Sequence, residues 1–476
     1  MNLQFKNFLW YAFPFLIRNF IPLISLPFFT RYISPDDFGI LALSVIYGVF
    51  IVGLLNLGLI SVFERNFFEL KEQKERIELM WSCIIFVFIN LTFGVIFTFY
   101  FEASINHILF GETFPTYLTV LAISHLSIKS ILQYFYIFLR NAKKANLYAL
   151  ISILEALICV TLSIYFVYHH KGILGYALGQ AMGVFSILVV LFLLSLFNNQ
   201  VHFKLKLLRE NLALSLPLTP RVFFGTINTQ FDRFMIGKLN STAGVGLYDI
   251  GQKIANLGFL FMTVLQQVFS PEVFSYYMNK PKEFSAHIGK YLTPFFYVSL
   301  LFCLLLGVFS QEIVLLLTTP AYYNAYPIIV VLNMLYASYF FGKQPQLILA
   351  KKMKLISYLS FLTILINVLF NIPLIYYYGI MGAAWGTFFS GIFMASISFY
   401  YAQKYAPIEY SRFSYQSYLL FQLFMFFVLI LWYLNAGYGL SLLIRIALVF
   451  IFIAMGFTQK LIRGQFLEIL LKKRIQ

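Results

Sequence analysis

The chain has 476 residues, of which 61% are hydrophobic, 20% are aromatic and only 11% are charged. A soluble domain is about 45–50% apolar and about 25% charged, so this composition excludes a soluble protein. The net charge of +16 does not indicate a nucleic-acid partner, because the basic residues stand in short loops between long apolar runs. We therefore interpret the chain as an all-α polytopic membrane protein.

Apolar runs of about 20 residues, the length of a membrane-spanning helix, recur along the whole chain. They predict about 14 transmembrane helices joined by short loops. These predicted spans 1 to 14 lie near 8–31, 39–62, 79–101, 115–139, 147–168, 173–197, 213–238, 246–271, 290–310, 325–349, 356–378, 380–402, 416–435 and 439–459.

The basic residues are distributed unequally between the two sets of loops. Of the 34 Lys and Arg residues, 24 lie before span 1, in the even-numbered loops and in the C-terminal tail, whereas the odd-numbered loops hold three. Lys and Arg accumulate on the cytoplasmic side of membrane proteins, so both termini are predicted to be cytoplasmic.

Three features of the sequence repeat at a spacing of 207–208 residues, one of which is "AKKANLYALIS" from Ala142 with "AKKMKLISYLS" from Ala350. "GILGYALG" at Gly172–Gly179 matches "GIMGAAWG" at Gly379–Gly386, and Gly39 corresponds to Gly246. The repeat unit holds six spans, an even number, so both copies have the same orientation in the membrane. Parallel repeats of this kind are common in secondary transporters.

The duplication predicts two six-helix lobes related by a pseudo-twofold axis along the membrane normal. Two extra C-terminal helices, spans 13 and 14, follow them. The predicted domains are 1–205 for the N-terminal lobe, 206–412 for the C-terminal lobe, and 413–476 for spans 13 and 14 with the basic tail.

Charged residues inside spans are costly in a membrane and indicate function unless they are paired. Lys129 on span 4 and Glu155 on span 5 each lie 13 residues from Ala142 in the intervening loop. They reach the same depth on antiparallel helices, so we predict a structural ion pair; the alternative is a proton site with Glu155 as the carrier.

Three further positions have local explanations. Asp249 and Lys253 are spaced i, i+4 on span 8, which predicts a local pair, with Asp249 retained as a candidate for ion coupling. Arg445 begins span 14 close to water and is predicted to extend its side chain into it. Lys343, near the cytoplasmic end of span 10, either reaches water or lines a cavity.

Spans 1 and 7 each combine prolines with an arginine at depth. Arg18, joined by Asn19, follows Pro14, and Arg221 follows Pro217 and Pro220. A proline frees a backbone carbonyl, which is tolerated at depth only against protein or a water-filled cavity. Spans 1 and 7 are therefore predicted to line an aqueous, cationic space between the halves.

The predicted site follows from these positions. The spans hold seven basic and three acidic residues, and arginine suits phosphate, so the predicted substrate is an anion. Candidate ion-coupling residues are Glu155, Asp232 and Asp249. Candidate substrate-binding residues are Arg18, Asn19, Arg221, Asn228, Asp232, Arg233 and Lys343.

Catalytic and metal motifs do not emerge from the sequence. The chain has no Walker A loop, no nucleophile elbow and no His–carboxylate cluster, and its three cysteines lie within apolar segments. We expect a transporter without catalytic residues, cofactor or metal site.

Several segments resemble the bacterial polysaccharide (O-antigen) flippases of the multidrug/oligosaccharidyl-lipid/polysaccharide (MOP) exporter superfamily. They are "LPFFTRYISPDDFGILAL" at Leu26–Leu43 and the stretch Leu216–Leu257, which contains "DRF" and "VGLYDIGQKIA". The resemblance covers most of residues 10–400.

This resemblance implies two six-helix lobes that work by alternating access. Its substrate would be an undecaprenyl-pyrophosphate-linked oligosaccharide, moved from the cytoplasmic to the periplasmic leaflet of the bacterial inner membrane. Implied partners are membrane lipids and the polysaccharide polymerase machinery, and the coupling ion is H⁺ or Na⁺.

Two alternatives remain open at this point. A drug or small-organic-ion antiporter of the same superfamily would prefer acidic cavity residues, and the excess of basic residues in the spans argues against it. A membrane enzyme such as a polymerase or ligase usually needs a sizeable periplasmic loop, whereas the loops here are short. The internal duplication also favours transport.

Overall fold

The computed structural model describes residues 20–111, 117–342, 346–434 and 437–458, and within these ranges its regular secondary structure is helical. The helices of the first half are α1 Leu26–Tyr32, α2 Pro35–Leu55, α3 Leu59–Asn66, α4 Gln73–Tyr100, α5 Glu102–Phe110, α6 Leu118–Asn141, α7 Ala145–Phe166, α8 Gly172–Phe197, α9 Leu205–Ser215 and α10 Thr219–Leu239. Those of the second half are α11 Thr242–Asn279, α12 Phe284–Val308, α13 Ser310–Leu317, α14 Tyr326–Gly342, α15 Gln346–Leu349, α16 Met353–Tyr405, α17 Arg412–Tyr433 and α18 Tyr438–Thr458.

Eleven helices in the described part of the chain are long and apolar enough to cross a membrane. They account for twelve predicted spans, because spans 11 and 12 both lie within α16, which is kinked at Gly379. The first half of span 1, residues 8–19, lies outside the described residues. Span 7 forms α10, which is not among the eleven because its polar residues lower its hydropathy. The chain is an all-α polytopic membrane protein, as predicted.

The chain forms two compact units. The first comprises Met1–Gly246 with Leu317–Thr319, and the second comprises Leu247–Leu316 with Pro320–Gln476. The first unit thus includes α10, which packs against α2. The predicted domain boundaries at residues 205 and 412 come from the sequence duplication and stay a prediction.

The core of the first unit holds both apolar and polar side chains. Phe63, Cys83 and Leu132 are fully buried. Among them the Asn56 amide donates to Ser130 Oγ at 2.7 Å, and Tyr134 donates to Asn56 Oδ1 at 3.1 Å. These bonds satisfy polar groups that would otherwise be costly to bury.

The duplicated glycine motifs adopt the same local structure. Gly172 and Gly379 have φ of +50° and +57° and ψ of −134° and −135°, a conformation open essentially to glycine alone. A Cβ at Gly175 would stand 2.7 Å from the carbonyl oxygen of Phe166, and one at Gly382 would stand 1.8 Å from that of Leu374. The sequence repeat is therefore also a repeat of backbone geometry.

A second glycine pair lies at the crossing of α2 and the start of α11. A Cβ at Gly39 would stand 1.8 Å from the Thr242 carbonyl oxygen, and one at Gly246 would stand 2.0 Å from that of Pro35. Thr242 and Pro35 are themselves separated by the repeat spacing of 207. Within the first unit the contact is thus reciprocal, since each glycine approaches the carbonyl that corresponds by repeat position to the one its counterpart approaches.

Candidate translocation site

Helix α10 begins where the sequence predicts an interruption. Residues Leu216–Leu218 form a single 3₁₀ turn, and Pro220 then stands in the first turn of α10. Proline is tolerated there because its missing N–H would have no helical acceptor. The end of α10 is fixed by Lys238, whose ammonium donates to the Ile108 carbonyl in α5.

The helix brings several predicted substrate-binding positions onto one face. Arg221, Asn228 and Asp232 follow one another at spacings of seven and four residues within α10, which places the three positions on one side of an α-helix. Arg233 lies about 100° away around the axis. The structure gives the backbone at Arg221 and Asn228 and leaves their side chains undescribed.

Asp232 and Arg233 differ in exposure. Asp232 is buried, with 8% of its surface exposed, and Arg233 is half-buried. Both lie in the C-terminal half of α10, close in sequence to Met235 and Ile236, which belong to the buried core. Of the other predicted residues, Arg18, Asn19 and Lys343 lie outside the described ranges.

Glu155 has a partner that sequence reasoning missed. Its side chain is buried, with 4% exposed, and its Oε2 accepts a hydrogen bond from the Tyr136 hydroxyl. Tyr136 lies seven residues after Lys129, so both stand on the same face of α6. This spacing could have indicated from the sequence that Tyr136 also faces Glu155. The ion pair of Glu155 with Lys129 and the role of Glu155 in coupling stay predictions.

The local pair predicted on span 8 is confirmed. Lys253 Nζ lies 2.6 Å from Asp249 Oδ2, one turn apart on α11, and the Asp249 side chain is 5% exposed. The i, i+4 spacing alone fixes this contact. An additional role of Asp249 in ion coupling stays a prediction.

The prediction for Arg445 is wrong. Only 2% of the residue is exposed, and its guanidinium binds the Glu312 carboxylate through two hydrogen bonds of 2.9 and 2.8 Å. Nη1 also donates to the Val308 carbonyl at 2.9 Å. The Arg445 side chain is therefore held inside the protein and does not extend to the membrane surface, because α13 brings a carboxylate to it from 133 residues earlier in the chain.

Solved structures of other proteins share the fold of this chain. The lipid II flippase MurJ in an inward closed conformation matches with a TM-score of 0.66 and 18% identity, over 95% of this chain and 98% of that one. An outward-facing MATE family multidrug transporter of the MOP superfamily matches with a TM-score of 0.56 and 14% identity, over 84% and 95%. A MOP superfamily transporter from Pyrococcus furiosus matches with 0.53 and 15%, over 84% and 95%.

The particular family follows from the sequence itself. The model of a family described as polysaccharide biosynthesis protein matches residues 5–278, more than half of the chain. The chain belongs to this family, which confirms the predicted resemblance. A search of curated proteins gives no match.

Proposed function

We propose that the protein is a flippase for lipid-linked glycans. It moves an undecaprenyl-pyrophosphate-linked repeat unit, of O-antigen or another surface polysaccharide, from the cytoplasmic to the periplasmic leaflet of the bacterial inner membrane. The observation that carries the proposal is the combination of polysaccharide-biosynthesis family membership with the fold of a lipid II flippase over 95% of the chain.

The polar face of α10 supplies the chemistry for docking the head group. The pyrophosphate binds Arg18 and Arg221, with Asn19, Asn228 and Lys343 alongside, and passes toward Arg233. A guanidinium offers a planar pair of donors to phosphate and stays charged at every working pH. Separated arginines bind the anion weakly enough at each point to release it.

Ion coupling is assigned to the buried acidic residues of the spans. Asp232, Asp249 and Glu155 are at most 8% exposed, and buried acidic residues within membrane spans are the natural candidates for binding H⁺ or Na⁺ during the cycle. Asp232 stands on the same helix face as Arg221, so the state of its carboxylate would alter the charge presented to the substrate.

The MATE-like fold keeps a drug or organic-ion antiporter as the second candidate. A polymerase or ligase is disfavoured, since the fold similarity is to transporters. Deleting the gene and analysing lipid-linked intermediates separates the three. Loss of a flippase leaves complete single repeat units on the cytoplasmic leaflet. Loss of a polymerase leaves single units at the cell surface, and loss of an antiporter leaves the glycan unchanged.

A further inference from the structure

A cavity of about 170 Å³ lies in the second unit, among the start of α13, the start of α14, the end of α17 and the start of α18. It occupies about the space of six water molecules at ~30 Å³ each, which suits one sugar ring and is too small for a lipid chain. In the proposed topology this end of the helices faces the periplasm. The residues that determine its chemistry are Gln311, Tyr326, Trp432, Tyr438, Ser441 and Arg445.

One wall of the cavity is a buried and neutralised guanidinium. Arg445 donates to Glu312, to the Val308 carbonyl and, through Nε at 3.3 Å, to the Ser441 carbonyl. These bonds use four of its five N–H groups, which leaves one on Nη2 for a ligand. Because Glu312 balances the charge, the wall offers a fixed donor without strongly attracting an anion.

Three other lining residues are aromatic. The rings of Tyr326 and Trp432 lie 5.9 Å apart at 87°, and Tyr438 adds a third, half-exposed ring. Aromatic faces bind apolar C–H surfaces, while Tyr and Trp also present polar edges. The Gln311 amide lies beside them and carries both donors and an acceptor.

These groups fit a neutral sugar ring. The C–H face of a pyranose packs against an aromatic ring, and its hydroxyls take hydrogen bonds from planar amide and guanidinium groups. A few placed polar groups among aromatic side chains are typical of small-ligand pockets. A phosphate head group suits the cavity less well, because the arginine is already paired with a carboxylate.

We propose that this cavity binds one neutral sugar residue of the glycan on the periplasmic side. We call it the Trp432 pocket and define it by the six residues named above. The proposal rests on the proposed function, since the cargo supplies the sugar. A site on this side captures the glycan after translocation and so opposes its return.

The test uses the full-length protein purified in detergent. The probe is radiolabelled oligosaccharide released from the host's lipid carrier, and binding is measured by equilibrium dialysis. We expect saturable binding that weakens at least tenfold in Gln311→Ala and in Trp432→Leu. Gln311 is only half-buried, so its variant keeps the test valid if Trp432→Leu does not fold. Trp385→Leu, which changes a tryptophan elsewhere in the second unit, serves as the matched control.

Three results overturn the proposal: no saturable binding, equal affinity in the pocket variants and the wild type, or displacement of the probe by phosphatidylglycerol but not by unlabelled oligosaccharide. The last result identifies the pocket as a lipid head-group site. Failure of the proposed function is distinguishable, because gene deletion would then leave lipid-linked intermediates unchanged whatever the pocket binds.

Discussion

Arg221 stands one residue after the proline in the first turn of α10, on the face that carries Asn228 and Asp232. If it docks the pyrophosphate, its removal costs one charge-assisted contact, about 1.5–3 kcal/mol, or more than tenfold in affinity. We expect Arg221→Ala, and likewise Arg18→Ala, to abolish surface glycan at normal protein levels. Lysine at either position should retain part of the export, because charge survives but the paired donors do not.

The measurement for these arginines is surface glycan on intact cells, normalised to membrane-inserted protein. Arg209→Ala is the matched control, since Arg209 is an exposed arginine on the preceding helix α9 and loses the same charge. Export at the wild-type rate in the Arg18 and Arg221 alanine variants would show that these arginines are structural.

The Arg445–Glu312 pair makes a stability prediction. Arg445→Ala leaves a carboxylate beside a buried site, and breaking one side of such a pair costs about 3–5 kcal/mol, whereas removing both sides costs less. The midpoint of thermal unfolding of the purified protein should therefore be lower for Arg445→Ala than for the double variant Arg445→Ala, Glu312→Ala.

The exposed pair of Arg65 and Glu69 is the control for this comparison. Its side chains are 64% and 57% exposed, so Arg65→Ala should change stability by no more than about 1 kcal/mol. A double variant at 445 and 312 that is as unstable as the sum of the singles would contradict the pairing argument.

Lys129 and Glu155 test whether the second buried carboxylate is structural or functional. Lys129→Ala should lower the amount of folded protein, and the double variant Lys129→Ala, Glu155→Gln should largely restore it. Tyr136→Phe removes the bond to Glu155 without changing charge, so it should cost about 1–3 kcal/mol through the unsatisfied carboxylate. Additive damage in the double variant would instead support Glu155 as a proton carrier.

Sequence reasoning about charges succeeded where helix geometry alone fixes the contact. Asp249 and Lys253 meet because they are one turn apart. The prediction for Arg445 was wrong because its partner, Glu312, lies 133 residues away on α13. The sequence around Arg445 gives no indication of this partner. The hydrogen bond from Tyr136 to Glu155 could be predicted only in part. The sequence shows that Tyr136 and Lys129 share a face of α6, but it does not show how α7 is rotated against α6.

At the scale of elements, the crossing of α2 with the start of α11 depends on two glycines. A methyl group at Gly39 would meet the Thr242 carbonyl, a backbone atom that cannot rotate away. We expect Gly39→Ala to destabilise the protein by about 1–3 kcal/mol through overpacking, although alanine favours helix elsewhere. The change is measured as a shift in the midpoint of thermal unfolding.

Gly439→Ala is the control for the crossing, because nothing lies within 4 Å of a Cβ at Gly439 on α18. It should be neutral or stabilising. Equal stability of the two alanine variants would mean that α2 and α11 do not approach each other as closely as described.

The sequence predicts which segments form helices better than it predicts how those helices pack. Apolar runs located the spanning helices, and they included span 7, although α10 falls below the hydropathy of a typical span because it carries several polar residues. The sequence repeat predicted that Gly172 and Gly379 would be equivalent, and both adopt positive φ. Assignment of α10 to the first compact unit could not be read from sequence, because it depends on packing against α2.

At the scale of the whole molecule, the distribution of basic residues predicts the topology. Single cysteines placed at Ala142 and Ala350, beside the Lys pairs of two even-numbered loops, should resist an impermeant thiol reagent in intact cells and react after permeabilisation. A cysteine at Lys171, an exposed residue of an odd-numbered loop, should react in intact cells. Labelling at Ala142 or Ala350 without permeabilisation would reverse the orientation.

The central claim is that the protein moves a pyrophosphate-linked glycan across a bilayer. It is tested most directly with purified protein in vesicles whose outer leaflet carries the lipid-linked repeat unit, by following protection of the glycan from an impermeant glycosidase. Wild-type protein should make a growing fraction of the glycan resistant, and Arg221→Ala should not. If the glycan stays fully accessible with active, correctly inserted protein under either an H⁺ or a Na⁺ gradient, the flippase assignment is contradicted.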